Sequence, residues 1–173
     1  MKKWRNFYLQ RMGKDEYGNP YPCCESVATW SIWCKDIPFA IGDKVKDPAS
    51  RKWYDEYGDD EYIPEEGLKM EAYTMKVELG CKVPDGVMLS VNQSASDYVR
   101  AAIGSFLDYL KESGMMKIYS TYTKIGRQNV RLSKISDKAW YSDYENESFL
   151  IFEVELKVND PVTNITLDTG EDE

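Results

Sequence analysis

Residues 71–83, EAYTMKVELGCKV, alternate one by one: Tyr73, Met75, Val77, Leu79, Cys81 and Val83 fall on one side, and Thr74, Lys76, Glu78, Gly80 and Lys82 on the other. Successive side chains of a strand point to opposite faces, so the pattern predicts a half-buried strand with one wet face. Pro84-Asp85-Gly86 ends it, because proline donates nothing to a ladder and Asp-Gly favours a turn.

The segments that follow read as a helix and further strands. Beyond a short loop, Ser94 or Ser96 can cap a helix in which Val99, Ala102, Ile103, Phe106, Leu107 and Leu110 recur at helical steps and make one apolar side. Gly114 stands where a left-handed C-terminal cap belongs. Met116, Ile118, Ser120 and Tyr122 then alternate against Lys117, Tyr119 and Thr121, Gly126 marks a turn, and Gln128, Val130 and Leu132 begin a returning strand. In residues 149–158, Leu150, Phe152, Val154, Leu156 and Val158 oppose Glu153, Glu155 and Lys157, until Asn159-Asp160-Pro161 stops the strand. The order β-α-β-β-β, with one apolar helix face and several one-sided strands, predicts an α+β fold: a mainly antiparallel sheet with one principal helix packed across it.

Upstream the texture changes. Residues 4–12 read as a strand, residues 14–20 are rich in turn formers, and residues 24–34 read as a second strand with large apolar groups on both faces. This N-terminal strand pair is expected to be covered on both sides, by its own domain or by a neighbouring subunit. Residues 35–66 lose the pattern and read as one long loop, acidic and aromatic, with Phe39, Trp53, Tyr54, Tyr57, Tyr62 and Ile63 too apolar to remain in water. It is expected to order either against its own sheet or at a protein interface. Residues 137–148, DKAWYSDYENES, repeat that texture as a hairpin loop, and the tail from 161 to 173 is expected to fray at its acidic end. The chain reads as one domain: the strand pair to residue 34, the loop at 35–66, the core at 67–160 and the tail.

Composition sets outer limits. With 173 residues and 42% hydrophobic content, the chain can bury a substantial core. Its formal charge of −8 makes it a poor candidate for gripping a nucleic-acid backbone, leaving room only for a local basic patch. No apolar run suits a membrane span, and the start MKKWRNFYLQ lacks a signal-peptide core, so a soluble intracellular protein is the expectation. Cys23, Cys24, Cys34 and Cys81 form no CxxC, and they are expected to be free thiols that behave as small hydrophobes.

The absence of histidine excludes Ser-His-Asp and Cys-His catalysis. Neither GxGxxG nor GxxxxGK[ST] occurs. The carboxylates Asp55, Glu56, Asp59, Asp60, Glu61, Glu65 and Glu66 admit a glycosidase-type pair or a cation site, but their spacing fits no EF-hand loop and reads more simply as a solvated face. No catalytic residue, metal ligand or cofactor is therefore assigned. Arg127 and Arg131 are expected on one face of a strand, with Asn129 between them, where they could pair with acidic loops of another copy.

The succession MEAYTMKVELGCKV, SDYVRAAIGSFLDYLKES, MMKIYSTYT, a hairpin and FLIFEVELKVND resembles, over roughly residues 67–160, the tail terminator and tail-completion proteins of the neck of long-tailed bacteriophages. The resemblance is one of element order, and fold-level analogy does not fix function. It implies a non-enzymatic virion protein assembled in the host cytoplasm, a homo-oligomeric hexameric ring that caps the tail tube and docks the head connector. It also implies subunit contacts through strand and loop edges, no membrane partner, and an acidic lumen past which DNA slides without specific binding. Such proteins often begin with a helix, whereas residues 1–34 here read as strands, which keeps a tail-tube or distal-tail protein of the same virion in view.

Two other classes stand beside it. A soluble module holding a peptide or carbohydrate on the aromatic loops would use the same residues as a platform. An enzyme built on acidic residues would need two carboxylates in a cleft. The interface candidates are Trp53, Tyr54, Tyr57 and Tyr62 on the long loop, Arg127 and Arg131 as charged partners, and Trp140 and Tyr141 on the second loop.

Overall fold

The computed structural model describes residues 4–42, 44–141 and 149–170. Its elements are β1 (Tyr8–Arg11), β2 (Cys23–Glu25), α1 (Ser26–Trp30), β3 (Ile32–Cys34), β4 (Ala49–Lys52), β5 (Asp59–Tyr62), β6 (Tyr73–Cys81), α2 (Ala95–Ser113), β7 (Met116–Ser120), β8 (Ile125–Tyr141) and β9 (Leu150–Val158). The fold is α+β, as the one-sided strands and the single apolar helix predict. Seven strands form one antiparallel sheet in the order β2-β1-β7-β8-β9-β6-β3, and β4 and β5 form a separate pair.

The chain path forces the large sheet to curl. β2 and β3 lie at opposite ends of the strand order, yet only residues 26–31 separate them, most of them helical. Such a link reaches only about 12 Å, whereas a flat seven-stranded sheet would hold its edges roughly 29 Å apart. Closure is direct: ahead of β1, Arg5 exchanges both backbone hydrogen bonds with Cys34 of β3, each 2.8 Å long.

The concave side holds the core. β6 and β9 pair without interruption from Tyr73↔Val158 to Cys81↔Leu150, so the alternation of both strands delivers one apolar face. On that face lie Met75, Val77, Leu79, Phe152, Val154 and Leu156, joined by Leu9, Met116, Ile118 and Val130. α2 fills the hollow with Val99, Phe106 and Leu110. Phe106 meets Phe7, Trp30 and Phe152 edge-on at centroid distances of 6.3, 5.4 and 6.4 Å. Of the two candidate caps Ser94 is the one used, because Asp97 then occupies the third helical position: Ser94 Oγ accepts from the Asp97 N–H, and Asp97 Oδ2 accepts from the Ser94 N–H.

Three expectations are corrected. Residues 24–34 are not one strand but β2, α1 and β3: Ser26 Oγ accepts the Phe7 N–H, and Ser31 turns left-handed at φ 57°, so a helical turn interrupts the strand and carries it from one sheet edge to the other. Gly126 is not the hairpin turn. The reversal is at residues 121–124, with Lys124 at φ 55°, and Gly126 lies within β8 because the C-terminal segment crosses it there, so that a β-carbon would overlap the carbonyl of Ile165. That segment is packed: Leu167 is buried with Tyr8 and Tyr119 on the convex side, while residues 171–173 of the expected frayed end lie outside the described residues. Finally, residues 35–66 are not structureless, since they contain the β4–β5 hairpin.

Candidate functional site

The β4–β5 hairpin is the tip of an arm. At its root, Phe39 and Ala40 pack on the core, the Ala40 N–H donates to Tyr73 Oη at 3.2 Å, and Arg127 Nη2 donates to the Ala40 carbonyl at 3.1 Å. Further out, Glu71 N–H donates to Lys44 O and Lys46 N–H to Lys69 O, around the bridge Val45↔Met70. Ala49↔Tyr62 through Lys52↔Asp59 then continue the ribbon to the tip. Every residue of β4 and β5 is exposed.

Of the arm candidates, Tyr54 and Tyr57 are fully exposed, Tyr62 is 70% exposed and Trp53 44%. Among the described residues, the Arg51 guanidinium lies 5.0 Å from the Trp53 ring. The long loop thus divides: Phe39 folds back on the sheet, and the four tip aromatics do not. The seven arm carboxylates are all exposed, and among the described residues no three carboxylates or thiols gather as a metal-ligand set. Among the described residues the arm's ion pairs are Lys44–Glu71 at 3.6 Å and Lys44–Asp47 at 3.9 Å towards its root, with Lys52–Asp59 at 3.7 Å and Lys69–Glu66 at 2.7 Å beyond. Exposed pairs of this kind contribute little stability each.

The two arginines do not share a face. Met116 pairs with Val130 and Ile118 with Arg127, so β8 carries one extra residue there, and Asn129 takes φ 53° to accommodate it. The bulge reverses the alternation: Arg127 joins Ile118, Met116 and Val130 on the inner side, and Arg131 stands on the outer side opposite Lys157. Arg127 is 5% exposed, and its guanidinium donates to the carbonyls of Ala40 and Gly126 and to Asn164 Oδ1. Its charge is therefore used inside the chain, and it is withdrawn as a surface partner. Trp140 and Tyr141 belong to β8, paired with Ile151 and Leu150, so the expected loop at 137–148 begins as strand and its residues 142–148 lie outside the described residues.

The sequence reading missed a cleft of about 510 Å³ on the convex side, between Trp4, Arg5, Asn6, Glu25, Trp33 and Tyr122. Arg5 lies over the Tyr122 ring, and Asn6 donates to Glu25 Oε1 at 3.0 Å. No spacing rule joins residues 4, 25, 33 and 122; only barrel closure does. Three thiols are poorly suited to nucleophilic chemistry, because burial pushes Cys34 and Cys81 up to about 12, and burial, with Cys24 and Asp168 nearby, pushes Cys23 up to about 11.

No protein-family model matches the chain, and no curated protein matches it. Among the described residues, no helix is long and apolar enough to cross a membrane.

Proposed function

We propose that this chain is a non-enzymatic virion structural protein of a long-tailed bacteriophage or prophage, a ring-forming subunit of the tail or neck that joins tail tube to head connector. The supporting observation is the arm. A two-stranded ribbon is marginal by itself in water, and one whose tip holds Trp53, Tyr54, Tyr57 and Tyr62 in solvent gains most when a second surface covers them. The curled sheet supplies a rigid body from which such an arm can reach a neighbour. A tail-tube or distal-tail position in the same virion uses the same device and is the alternative within this reading.

The cleft beside Trp4 and Trp33 favours a second reading, a module that binds a peptide or carbohydrate on aromatic and planar polar groups. Native mass spectrometry and negative-stain imaging across a concentration series, with and without purified tail-tube protein, separate the two. Rings, alone or beside the tube protein, are the expected result. A chain that stays single under both conditions defeats the virion reading and directs attention to the cleft.

A further inference from the structure

We infer that the arm of one subunit docks on the convex face of a second copy, at the cationic corner formed by Arg131, Lys157 and Lys117. The inference rests on the ring reading and names its contact. Arg131 and Lys157 face each other directly across β8 and β9, an arrangement that is unfavourable unless a counter-charge relieves it. Neither has a carboxylate partner among the described residues: Arg131 donates only to the Leu132 carbonyl, and nearby Glu155 is engaged by Lys76 at 3.4 Å. Lys117, between inward Met116 and Ile118, points to the same convex side one strand over. Asp160 does not neutralise the corner, since its carboxylate accepts from Gln128 and from the backbone of Val162 and Thr163.

Two other corners of the convex face are covered by the chain itself. Leu167 and Ile165 lie over Tyr8 and Tyr119 at one corner, and the Phe149 ring lies on Gly80 at another, with Trp4 edge-on to it at 4.9 Å. The cleft beside Trp4 and Trp33 is open on this face, and so is the corner where exposed Thr74 and Met115, the latter 41% exposed, adjoin the three half-buried cations.

The occupant is a second copy because the complementary surface is the arm. Between residues 49 and 66 it carries Asp55, Glu56, Asp59, Asp60, Glu61, Glu65 and Glu66 against Arg51 and Lys52, with tyrosines at the tip that can lie against Arg131 and Met115. The patch and the arm are different surfaces, so the contact is head-to-tail, and repetition closes a ring when the rotation allows it.

Charge exchange tests this. One full-length variant carries Arg131→Glu and Lys157→Glu, at half-buried positions on the outer side of the sheet, and a second carries Asp55→Lys, Glu56→Lys and Glu61→Lys, at exposed positions; circular dichroism verifies that both fold. Sedimentation velocity is expected to show each variant self-associating roughly 100-fold more weakly than the unaltered chain, and an equimolar mixture regaining rings, because each arm then meets an oppositely charged corner. Rings that form normally in either variant overturn this contact and leave the ring reading standing. Variants that fail alone and also fail mixed overturn it as well, since their charges do not face each other. An unaltered chain that never associates overturns the contact and the ring reading together.

Discussion

Arg127 Nη2 lies 3.1 Å from the carbonyl oxygen of Ala40, and this bond ties the root of the arm to the inner side of the sheet. The arginine reaches that position because the bulge at Asn129 turns it inward, while the same bulge leaves Arg131 outside. One extra residue in β8 therefore sends one cation to hold the arm and the other to the surface. Among the described residues the Arg127 Nε has no partner, so its Nη groups make the anchor.

Replacing Arg127 with alanine removes bonds from a charged donor to two carbonyls and the Asn164 amide oxygen, and it opens a cavity. The expected loss of stability is about 3 kcal/mol in urea denaturation. Methionine, which keeps most of the volume and removes the buried charge, is expected to cost less. Hydrogen exchange should accelerate at residues 39–46 in both variants. A loss below roughly 0.5 kcal/mol with unchanged exchange would mean that Arg127 does not anchor the arm.

Gly80 and Phe149 form a second tight pair, since a β-carbon at 80 would overlap the Phe149 ring. Gly80→Ala is expected to destabilise by about 1–3 kcal/mol, the usual result of overfilling a packed site. In a Phe149→Ala background the same change should be nearly neutral. A double-mutant cycle measures the coupling, and additive effects would show that the ring does not set the glycine requirement.

Alkaline pH should weaken the fold through its buried thiols. Cys34 and Cys81 ordinarily titrate at 9.0 and are raised to about 12 by burial, with Asp36 adding to the shift at Cys34. The unfolded chain loses these protons above pH 9 while the folded chain keeps them, so their contribution is intact below 9 and falls as pH rises from 9 towards 12. Urea midpoints measured from pH 8 to 10.5 are expected to decline less steeply in Cys81→Ala than in the unaltered chain. Parallel slopes would assign the decline to other groups.

Much of this architecture is legible in local pattern, and what is not legible depends on long-range closure. β6, α2, β7 and β9 follow from alternation and helical spacing because each buries one face against the same core. The interruption at residues 26–31 escapes that logic: Ala28, Trp30, Ile32 and Cys34 alternate as a strand would, and only the demand of linking two sheet edges makes part of the run helical. Arg127 escapes it too, because a bulge shifts register without changing composition. Gly126 signals a turn by type, yet its requirement comes from Ile165, far along the chain. The arm's aromatics were recognisable as residues seeking cover, but their division between Phe39 inside and Tyr54 and Tyr57 outside depends on where the root is anchored.

That division leads to the test that separates folding from assembly. Trp53, Tyr54, Tyr57 and Tyr62 lie outside the core cluster, so replacing all four with serine removes little buried area from a single subunit. Surface substitutions of this kind usually change stability by no more than about 0.5 kcal/mol each. Buried aromatic anchors at an interface, by contrast, commonly contribute 2 kcal/mol or more apiece, on the order of a 30-fold change in affinity for each. The quadruple variant is therefore expected to melt within a few degrees of the unaltered subunit, to keep its far-ultraviolet circular dichroism, and to sediment as a single subunit where the unaltered chain forms rings. Should the variant unfold instead, the aromatics support the subunit's own structure; should it form rings unimpaired, the arm is not the assembly device.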